Sequence, residues 1–307
     1  MNILIYGIGG VGGYFGGKLA LTDHKVTMIA RGEHLKAIQK NGLEVKSITG
    51  DFVVKPYFAT DDLSKIDTPD LVIFGVKSWQ LKQAIKDILQ YCNENTIFLP
   101  LQNGANNAEQ LNNVVSKDQV LAGLCRMISF VASPGVISNP SIAPSLLFGE
   151  QDNIKTDRVL KICDVFTNAG INAAIPENIQ VAIWKKFLFI TTISAIGGLT
   201  RAPIGVLRET PYLKDIMTKT AQEVLAVAHA KGIVLPENII DLTYKAIHRQ
   251  EYKTTASTQR DIMDGKPSEL ENFNGYIVKE GRKLGVLTPV NEMIYELLLP
   301  QEIKARK

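Results

Sequence analysis

A run of glycines near the N-terminus has the spacing of a phosphate-binding loop. A short apolar segment, Asn2–Tyr6, comes directly before it, and a helical pattern, Val11–Leu21, follows. The pattern GxGxxG is formed by Gly7-Ile8-Gly9-Gly10-Val11-Gly12. In this context the first glycine permits a tight turn, the second lets a pyrophosphate approach the backbone, and the third lets the helix pack against the strand. The N–H groups at the start of the helix would bind the phosphates of a dinucleotide.

The residues at the end of the second predicted strand indicate which dinucleotide the chain binds. Proteins that bind NAD usually place an Asp or Glu there, about 20 residues after the glycines, to hold the ribose 2′-hydroxyl. This chain has Ala30-Arg31 after the strand pattern Lys25–Ala30. A guanidinium pairs with a 2′-phosphate, which a carboxylate would repel. Arg31 therefore predicts NADP rather than NAD, although Glu33 lies close in sequence.

Cysteine and histidine residues offer no further chemistry. The three cysteines form no CxxC pair, and the four histidines are isolated from them and from each other. We therefore predict neither a metal site nor a Ser-His-Asp arrangement. The sparse cysteines are typical of a reducing compartment, and together with the lack of a basic leader they predict a cytoplasmic protein.

The first half of the chain alternates strand and helix patterns. Strand patterns continue at Leu43–Ile48, Phe52–Tyr57, Leu71–Val76, Thr96–Leu101, Val120–Leu124, Gly135–Ile137, Leu146–Gly149 and Asn172–Ile175. The first two of these flank Thr49-Gly50-Asp51, which predicts a hairpin. Helix patterns at Ser78–Tyr91 and Ala105–Val114 separate later strands. Alternation of this kind predicts an α/β domain of the Rossmann type with a doubly wound parallel sheet over residues 1–175.

After Pro176 the pattern becomes almost entirely helical, which predicts a second, all-helical domain over residues 176–307. The six helix patterns are Glu177–Leu199, Pro211–Lys231, Pro236–Arg249, Thr255–Met263, Ser268–Leu284 and Pro289–Leu299. The longest mostly apolar run, Phe187 to Leu199, is shorter than the ~20 residues that a bilayer requires, so we expect no membrane span. A net charge of +3 gives no reason to expect nucleic acid as a partner. A homodimer through the helical domain remains open.

Further short motifs occur in a fixed order along the chain. They are Lys77-Ser78-Trp79-Gln80, Gln102-Asn103-Gly104, Trp184-Lys185-Lys186, Ser257 with Asp261, and Pro267-Ser268-Glu269-Leu270-Glu271 with Asn274-Gly275. With the glycine loop, they resemble the ketopantoate reductase (2-dehydropantoate 2-reductase) family over nearly the full length. The resemblance implies reduction of 2-dehydropantoate to (R)-pantoate with NADPH, a step toward pantothenate and coenzyme A.

The resemblance also implies a role for individual residues. Lys186 matches the catalytic lysine and proton donor, and Glu269 matches an active-site glutamate beside nicotinamide and substrate. Asn103 matches an asparagine that contacts both, and Ser257 matches a serine that binds the substrate carboxylate. Arg31 and Lys77 match positions that bind the cofactor.

Two positions on the predicted Lys186 helix depart from the family. Asparagines usually stand four and eight residues after the lysine, where this chain has Ile190 and Ser194. These positions share one helical face with Lys186. Ser194 keeps a shortened polar group for the substrate, whereas Ile190 has none. A different 2-oxo acid is therefore an alternative substrate, and a non-catalytic NADPH sensor is a further alternative.

Several of these residues also have purely structural interpretations. Partial burial would lower the pKa of Lys186 and ease proton transfer, but a lysine at a helix end also extends its ammonium into solvent. Asn103-Gly104 is an ordinary turn sequence. Ser268 and Glu271 have the spacing of a helix capping box, which would leave Glu269 available for the active site.

Overall fold

The computed structural model describes residues 1–307 and separates into two compact units. Unit 1 is Met1–Ile179 and unit 2 is Gln180–Lys307. The sequence pattern put the boundary between residues 175 and 176, just before the helix that opens unit 2.

Unit 1 contains twelve strands and five α-helices. The strands are β1 (Asn2–Tyr6), β2 (Lys25–Ile29), β3 (Leu43–Ser47), β4 (Phe52–Val54), β5 (Phe58–Thr60), β6 (Leu71–Phe74), β7 (Ile97–Pro100), β8 (Ala122–Arg126), β9 (Phe130–Ser133), β10 (Val136–Asn139), β11 (Ser145–Gly149) and β12 (Asn172–Ala174). The helices are α1 (Gly10–Ala20), α2 (Gly32–Asn41), α3 (Leu81–Ile88), α4 (Asn107–Asn112) and α5 (Asp157–Asn168).

The central sheet of unit 1 is fully parallel, with strand order β5-β2-β1-β6-β7. The chain leaves β1 toward one side of the sheet and returns to the other side at β6. This is the Rossmann order, and its switch point lies between β1 and β6. The strands β1 and β6 are buried on both faces, which explains their nearly continuous apolar sequence. The predicted Rossmann-type α/β fold is confirmed.

The other seven strands of unit 1 lie outside this central sheet. Two small sheets form instead, with orders β4-β3-β10-β9 and β12-β11-β8. The hairpin prediction is confirmed because β3 and β4 pair antiparallel. However, Phe52–Tyr57 is not one strand. The ring of Pro56 removes a donor from the ladder, so β4 ends at Val54 and the separate strand β5 begins at Phe58.

Unit 2 is helical, as predicted. Its helices are α6 (Ile179–Thr200, whose first residue closes unit 1), α7 (Ile204–Glu209), α8 (Pro211–Ala230), α9 (Ile239–His248), α10 (Ser257–Met263), α11 (Tyr276–Leu284) and α12 (Pro289–Ala305). Within the predicted helix Ser268–Leu284, the first helical turns, Glu271–Gly275, are π-helical and lead directly into α11.

The helix α6 is longer than the apolar run seen in the sequence. It has 22 residues, and its most apolar window has a mean hydropathy of 1.4, so length and composition alone would allow it to cross a membrane. However, 61% of that window is buried inside the protein. Phe187 packs edge-on against Phe273 and Tyr276, and Trp184 is 1% exposed. These contacts are those of a core helix, and a buried core helix can be as long and as apolar as a membrane-spanning one.

The predicted capping box at Ser268 is wrong. The Ser268 hydroxyl donates to Glu302 Oε2 over 2.5 Å and accepts from the Leu270 N–H, while Glu271 accepts a hydrogen bond from the Tyr295 hydroxyl. Glu302 also pairs with Arg306 over 2.6 Å. Long-range partners thus replace the local pairing that the spacing of Ser268 and Glu271 suggests.

Candidate active site

Four strands of the central sheet end at the same level. Tyr6, the last residue of β1, is in register with Ile29 of β2 and Phe74 of β6, and Phe74 is in register with Pro100 of β7. The chain then leaves these strands into the segments that carry the glycine loop, Arg31, Lys77 and Asn103. The structure therefore brings these sequence-predicted residues to the carboxyl edge of one sheet, where ligands of doubly wound folds bind.

The glycines of the loop meet different constraints. Gly7 has a φ of +97°, which other residues rarely adopt, and a Cβ on Gly12 would overlap the Gly7 carbonyl oxygen. A Cβ on Gly10 would overlap the carbonyl of Ser129. By contrast, the nearest atom to a Cβ on Gly9 would be the Gly75 carbonyl oxygen, 3.8 Å away. Folding does not require glycine at position 9, so the open space above it fits a pyrophosphate close to the backbone.

Arg31 is exposed at the position just before α2, directly after the end of β2. Its guanidinium lies near the Tyr6 hydroxyl, whose pKa it lowers against the larger effects of burial and Asp87. The nearby Glu33 forms an exposed ion pair with Lys36 over 2.8 Å. No carboxylate takes the place at the β2 end that holds the ribose of NAD in other Rossmann domains.

Lys77 and Asn103 are both half-buried. Lys77 comes immediately before a short 3₁₀ turn, Ser78–Gln80, and Asn103 lies between β7 and α4. Sequence reasoning missed Asn107, whose buried side-chain amide donates to the Gln102 carbonyl over 2.8 Å and lies 3.5 Å from the carbonyls of Asn103 and Gly104. This one amide therefore fixes the turn that carries Asn103, and the signal was its place at the start of α4.

In unit 2, the three positions of α6 on the face of Lys186 differ in how far they are buried. Lys186 and Ile190 are half-buried, whereas Ser194, another turn along the same face, is only 2% exposed. The partly exposed face next to Lys186 is therefore apolar at Ile190. A substrate on this part of α6 would meet an ammonium and a branched aliphatic side chain.

Glu269 is nearly buried, at 3% exposure. Thr258 of α10 contacts this carboxylate, with its Oγ1 3.5 Å from Glu269 Oε2. Ser257, the predicted carboxylate ligand, is exposed, whereas Thr258 beside it is buried. Sequence reasoning missed Thr258, and the signal was its position next to Ser257 at the start of α10. The glycine pair Gly197 and Gly198 lets α6 approach α10, because added Cβ atoms would meet Gln259 and Ile262.

No group of three or more His, Cys, Asp or Glu side chains is arranged to hold a metal ion. The side chains at the sites described above carry ammonium, carboxyl, amide and hydroxyl groups. Such groups can bind a carboxylate, polarise a ketone and transfer a proton.

Comparison with known proteins places this arrangement in a family. The model of "Ketopantoate reductase PanE/ApbA" matches residues 3–152, and that of "Ketopantoate reductase PanE/ApbA C terminal" matches residues 178–302. The uncharacterized oxidoreductase YkpB of Bacillus subtilis (strain 168) is 28% identical over 96% of this chain and 97% of its own length. The 2-dehydropantoate 2-reductase of Pyrococcus abyssi (strain GE5 / Orsay) is 29% identical over 98% of both proteins.

A solved structure extends the likeness to the whole chain. The crystal structure of a PanE/ApbA family ketopantoate reductase from Ralstonia eutropha JMP134 superposes with a TM-score of 0.92 at 29% identity and covers 100% of both chains. The two family models together match well over half of the residues. The protein belongs to the ketopantoate reductase PanE/ApbA family of NAD(P)H-dependent oxidoreductases.

Proposed function

We propose that the protein reduces 2-dehydropantoate to (R)-pantoate with NADPH. The observation that carries the cofactor half is the end of β2, where Arg31 stands and the neighbouring carboxylate of Glu33 is paired with Lys36. A guanidinium at this point favours a 2′-phosphate. The Pyrococcus abyssi relative, named as a 2-dehydropantoate 2-reductase, supports the substrate half.

The residues of unit 1 would hold the dinucleotide. The backbone of the glycine loop and the N-terminus of α1 would bind the pyrophosphate, with the space above Gly9 left for it. Arg31 would pair with the 2′-phosphate, Lys77 would contribute a second positive charge, and Asn103 would orient the nicotinamide. Bound NADPH supplies the hydride that reduces the ketone.

The residues of unit 2 would act on the substrate. Lys186 would donate a hydrogen bond to the ketone oxygen and then the proton that completes the alcohol. Ser257 would bind the carboxylate, and Ser194 would offer a hydroxyl on the same helical face as Lys186. Glu269, buried beside Thr258, would hold the substrate hydroxyl or the ammonium of Lys186 in place. Fixing these groups before reaction removes much of the entropic cost of bringing them together.

A second candidate substrate is favoured by Ile190. This half-buried side chain stands one turn from Lys186 and offers no hydrogen bond to a hydroxylated substrate. A branched aliphatic 2-oxo acid without a hydroxyl group would instead contact it through methyl groups.

The homodimer also stays a proposal, tested by the mass of the purified protein in solution.

Steady-state kinetics with a panel of 2-oxo acids tests the proposal. Purified protein is given NADPH with 2-dehydropantoate, pyruvate, a branched aliphatic and an aromatic 2-oxo acid. The proposal expects 2-dehydropantoate to have the highest kcat/KM. A branched aliphatic acid that exceeds it tenfold would favour the second candidate. Tight NADPH binding without turnover of any acid would indicate a sensor instead of an enzyme.

A further inference from the structure

A chain of polar contacts connects α3 to the end of β1. The Tyr6 ring, 5% exposed, ends β1, and its hydroxyl donates to Asp87 Oδ2 over 2.9 Å. Gln83, one turn earlier on α3, donates to the other carboxylate oxygen, Asp87 Oδ1, over 2.6 Å. The ring otherwise lies in an apolar cluster that includes Phe74. A phenylalanine would fill the same volume, so the hydroxyl serves these polar contacts and not the packing.

Arg31 lies two residues beyond Ile29, which pairs in register with Tyr6, and its guanidinium is close enough to the same hydroxyl to lower its pKa. The Tyr6 hydrogen is directed to Asp87, which leaves the lone pairs of the phenol oxygen to accept, and a guanidinium can only donate. A guanidinium N–H can therefore donate to the Tyr6 oxygen while the Tyr6 hydroxyl donates to Asp87. Burial, followed by the contact with Asp87, raises the pKa of Tyr6 to about 12, so the hydroxyl keeps its hydrogen at neutral pH.

We propose that Tyr6 and Asp87 are positioning residues for cofactor selectivity, which hold the Arg31 guanidinium where a 2′-phosphate would bind. This inference rests on the proposed use of NADPH. An exposed arginine loses rotamer entropy when it binds a phosphate, and an acceptor that restrains it beforehand reduces that loss. Asp87 strengthens the acceptor because it withdraws the phenol hydrogen toward its own negative charge. The adenosine half common to NADP and NAD does not use this restraint.

Equilibrium binding of NADP⁺ and NAD⁺ tests the proposal without any turnover. In Tyr6→Phe, we expect the Kd for NADP⁺ to rise about fivefold to tenfold, as for the loss of one ordinary hydrogen bond, and that for NAD⁺ to change less than twofold. Asp87→Ala should act in the same way. Asp87→Asn keeps an oxygen that accepts from Tyr6, so it should restore most of the selectivity. Glu33→Gln, an exposed change in the same region, is the matched control.

A double-mutant cycle separates positioning from general stability. In an Arg31→Ala background, Tyr6→Phe should cost nothing further in NADP⁺ binding, because there is no guanidinium left to hold. Equal losses for NADP⁺ and NAD⁺ in Tyr6→Phe, or the same loss with and without Arg31, would overturn the inference. A protein that binds both dinucleotides in this selective way but reduces no 2-oxo acid would contradict the proposed reaction and leave this inference standing.

Discussion

The side-chain amide of Asn107 donates to the backbone carbonyl of Gln102 over 2.8 Å and thereby closes the turn that carries Asn103. The same nitrogen lies 3.5 Å from the carbonyls of Asn103 and Gly104. Gln102 is itself anchored, because its side-chain amide donates to the Phe74 carbonyl at the end of β6. The position of Asn103 relative to the edge of the sheet is therefore set by two buried amides.

Replacing Asn107 by Asp should loosen this turn. A carboxylate is nearly the same size but cannot donate, and it would face three carbonyl oxygens. We expect kcat/KM for the 2-oxo acid to fall about tenfold and the free energy of unfolding to fall by about 1–2 kcal/mol. Asn113→Asp, an exposed change just after α4, is the control for the added charge. Unchanged kinetics in Asn107→Asp would show that the turn does not position Asn103 for the reaction.

Two neighbouring glycines should respond in opposite ways to the same added methyl group. Gly10→Ala would drive a Cβ into the backbone of Ser129, so we expect a clear loss of thermal stability. Gly9→Ala meets no atom closer than 3.8 Å, so Tm should be nearly unchanged while the Kd for NADPH rises at least tenfold. Thermal unfolding and NADPH binding, measured on both variants, check the pair. Normal NADPH affinity in Gly9→Ala would contradict the proposal that the pyrophosphate binds close to the backbone at Gly9.

The environment of His34 predicts that the free energy of unfolding falls as the pH is lowered. Burial lowers its pKa below the ordinary value of 6.5, only partly offset by the Ile8 backbone, and its Nδ1 accepts the Gly135 N–H over 2.9 Å, which requires a neutral ring. The unfolded chain therefore takes up a proton at higher pH than the folded one. The contribution of His34 to stability is complete above pH 6.5 and is lost as the pH falls through the lower pKa of the folded state.

Urea unfolding between neutral and mildly acidic pH would measure this effect. His34→Gln keeps an acceptor for Gly135 but does not titrate, so its free energy of unfolding should decline less on acidification. Some decline should persist, because the pKa of His24 is also lowered, first by burial and then by the N-terminus. His248→Gln, at an exposed position that ends α9, should follow the unmodified protein. If the acid limb of His34→Gln is as steep as that of the unmodified protein, His34 is not its source.

The sequence predicts the parts of the site that depend on neighbours along the chain. The glycine loop and Arg31 are adjacent to strong apolar strands, and strand ends in a parallel sheet must share an edge. The contacts that hold these parts in place are different. Tyr6 and Asp87 are 81 positions apart, and periodicity carries no information about such a pair.

The same limit explains the error at Ser268. Its spacing to Glu271 is that of a capping box. However, the carboxylate of Glu302, 34 positions away, accepts hydrogen bonds from both the hydroxyl and the backbone N–H of Ser268. A buried carboxylate that pairs with Arg306 is a stronger acceptor than a local backbone group. The short strands β5 and β9 were missed for a related reason. Three or four residues are too few to show a period, and their pairing partners decide the structure.

Lys186 and Lys185 allow a matched test of the proton donor. Adjacent residues point about 100° apart around a helix, so only one of the two ammonium groups can serve a given face. We expect Lys186→Met to lower kcat by about 10²–10⁴-fold, the usual contribution of a positioned acid, and to leave the Kd for NADPH within about twofold. Lys185→Met should keep nearly full activity. Turnover by Lys186→Met within a few-fold of the unmodified enzyme would contradict the proposed role.

Ile190 allows a gain-of-function test of whether this position contributes to the choice between the two substrate candidates. Ile190→Asn places an amide one turn from Lys186, on the same half-buried part of α6. An amide can hydrogen-bond the hydroxyl of 2-dehydropantoate but leaves its own polar atoms unpaired against a purely aliphatic acid. We therefore expect the ratio of kcat/KM values for 2-dehydropantoate over a branched aliphatic 2-oxo acid to rise at least tenfold.

The matching control for this change is Ile190→Val, which keeps the apolar surface and should leave the ratio within about twofold. Comparison of the two variants removes the effect of altered volume from that of the new amide. If Ile190→Asn and Ile190→Val give the same ratio, position 190 does not contact the part of the substrate that carries the hydroxyl. If only the asparagine raises the ratio, position 190 contacts the part of the substrate that carries the hydroxyl, and the kcat/KM values of the unmodified protein then decide which acid is its substrate.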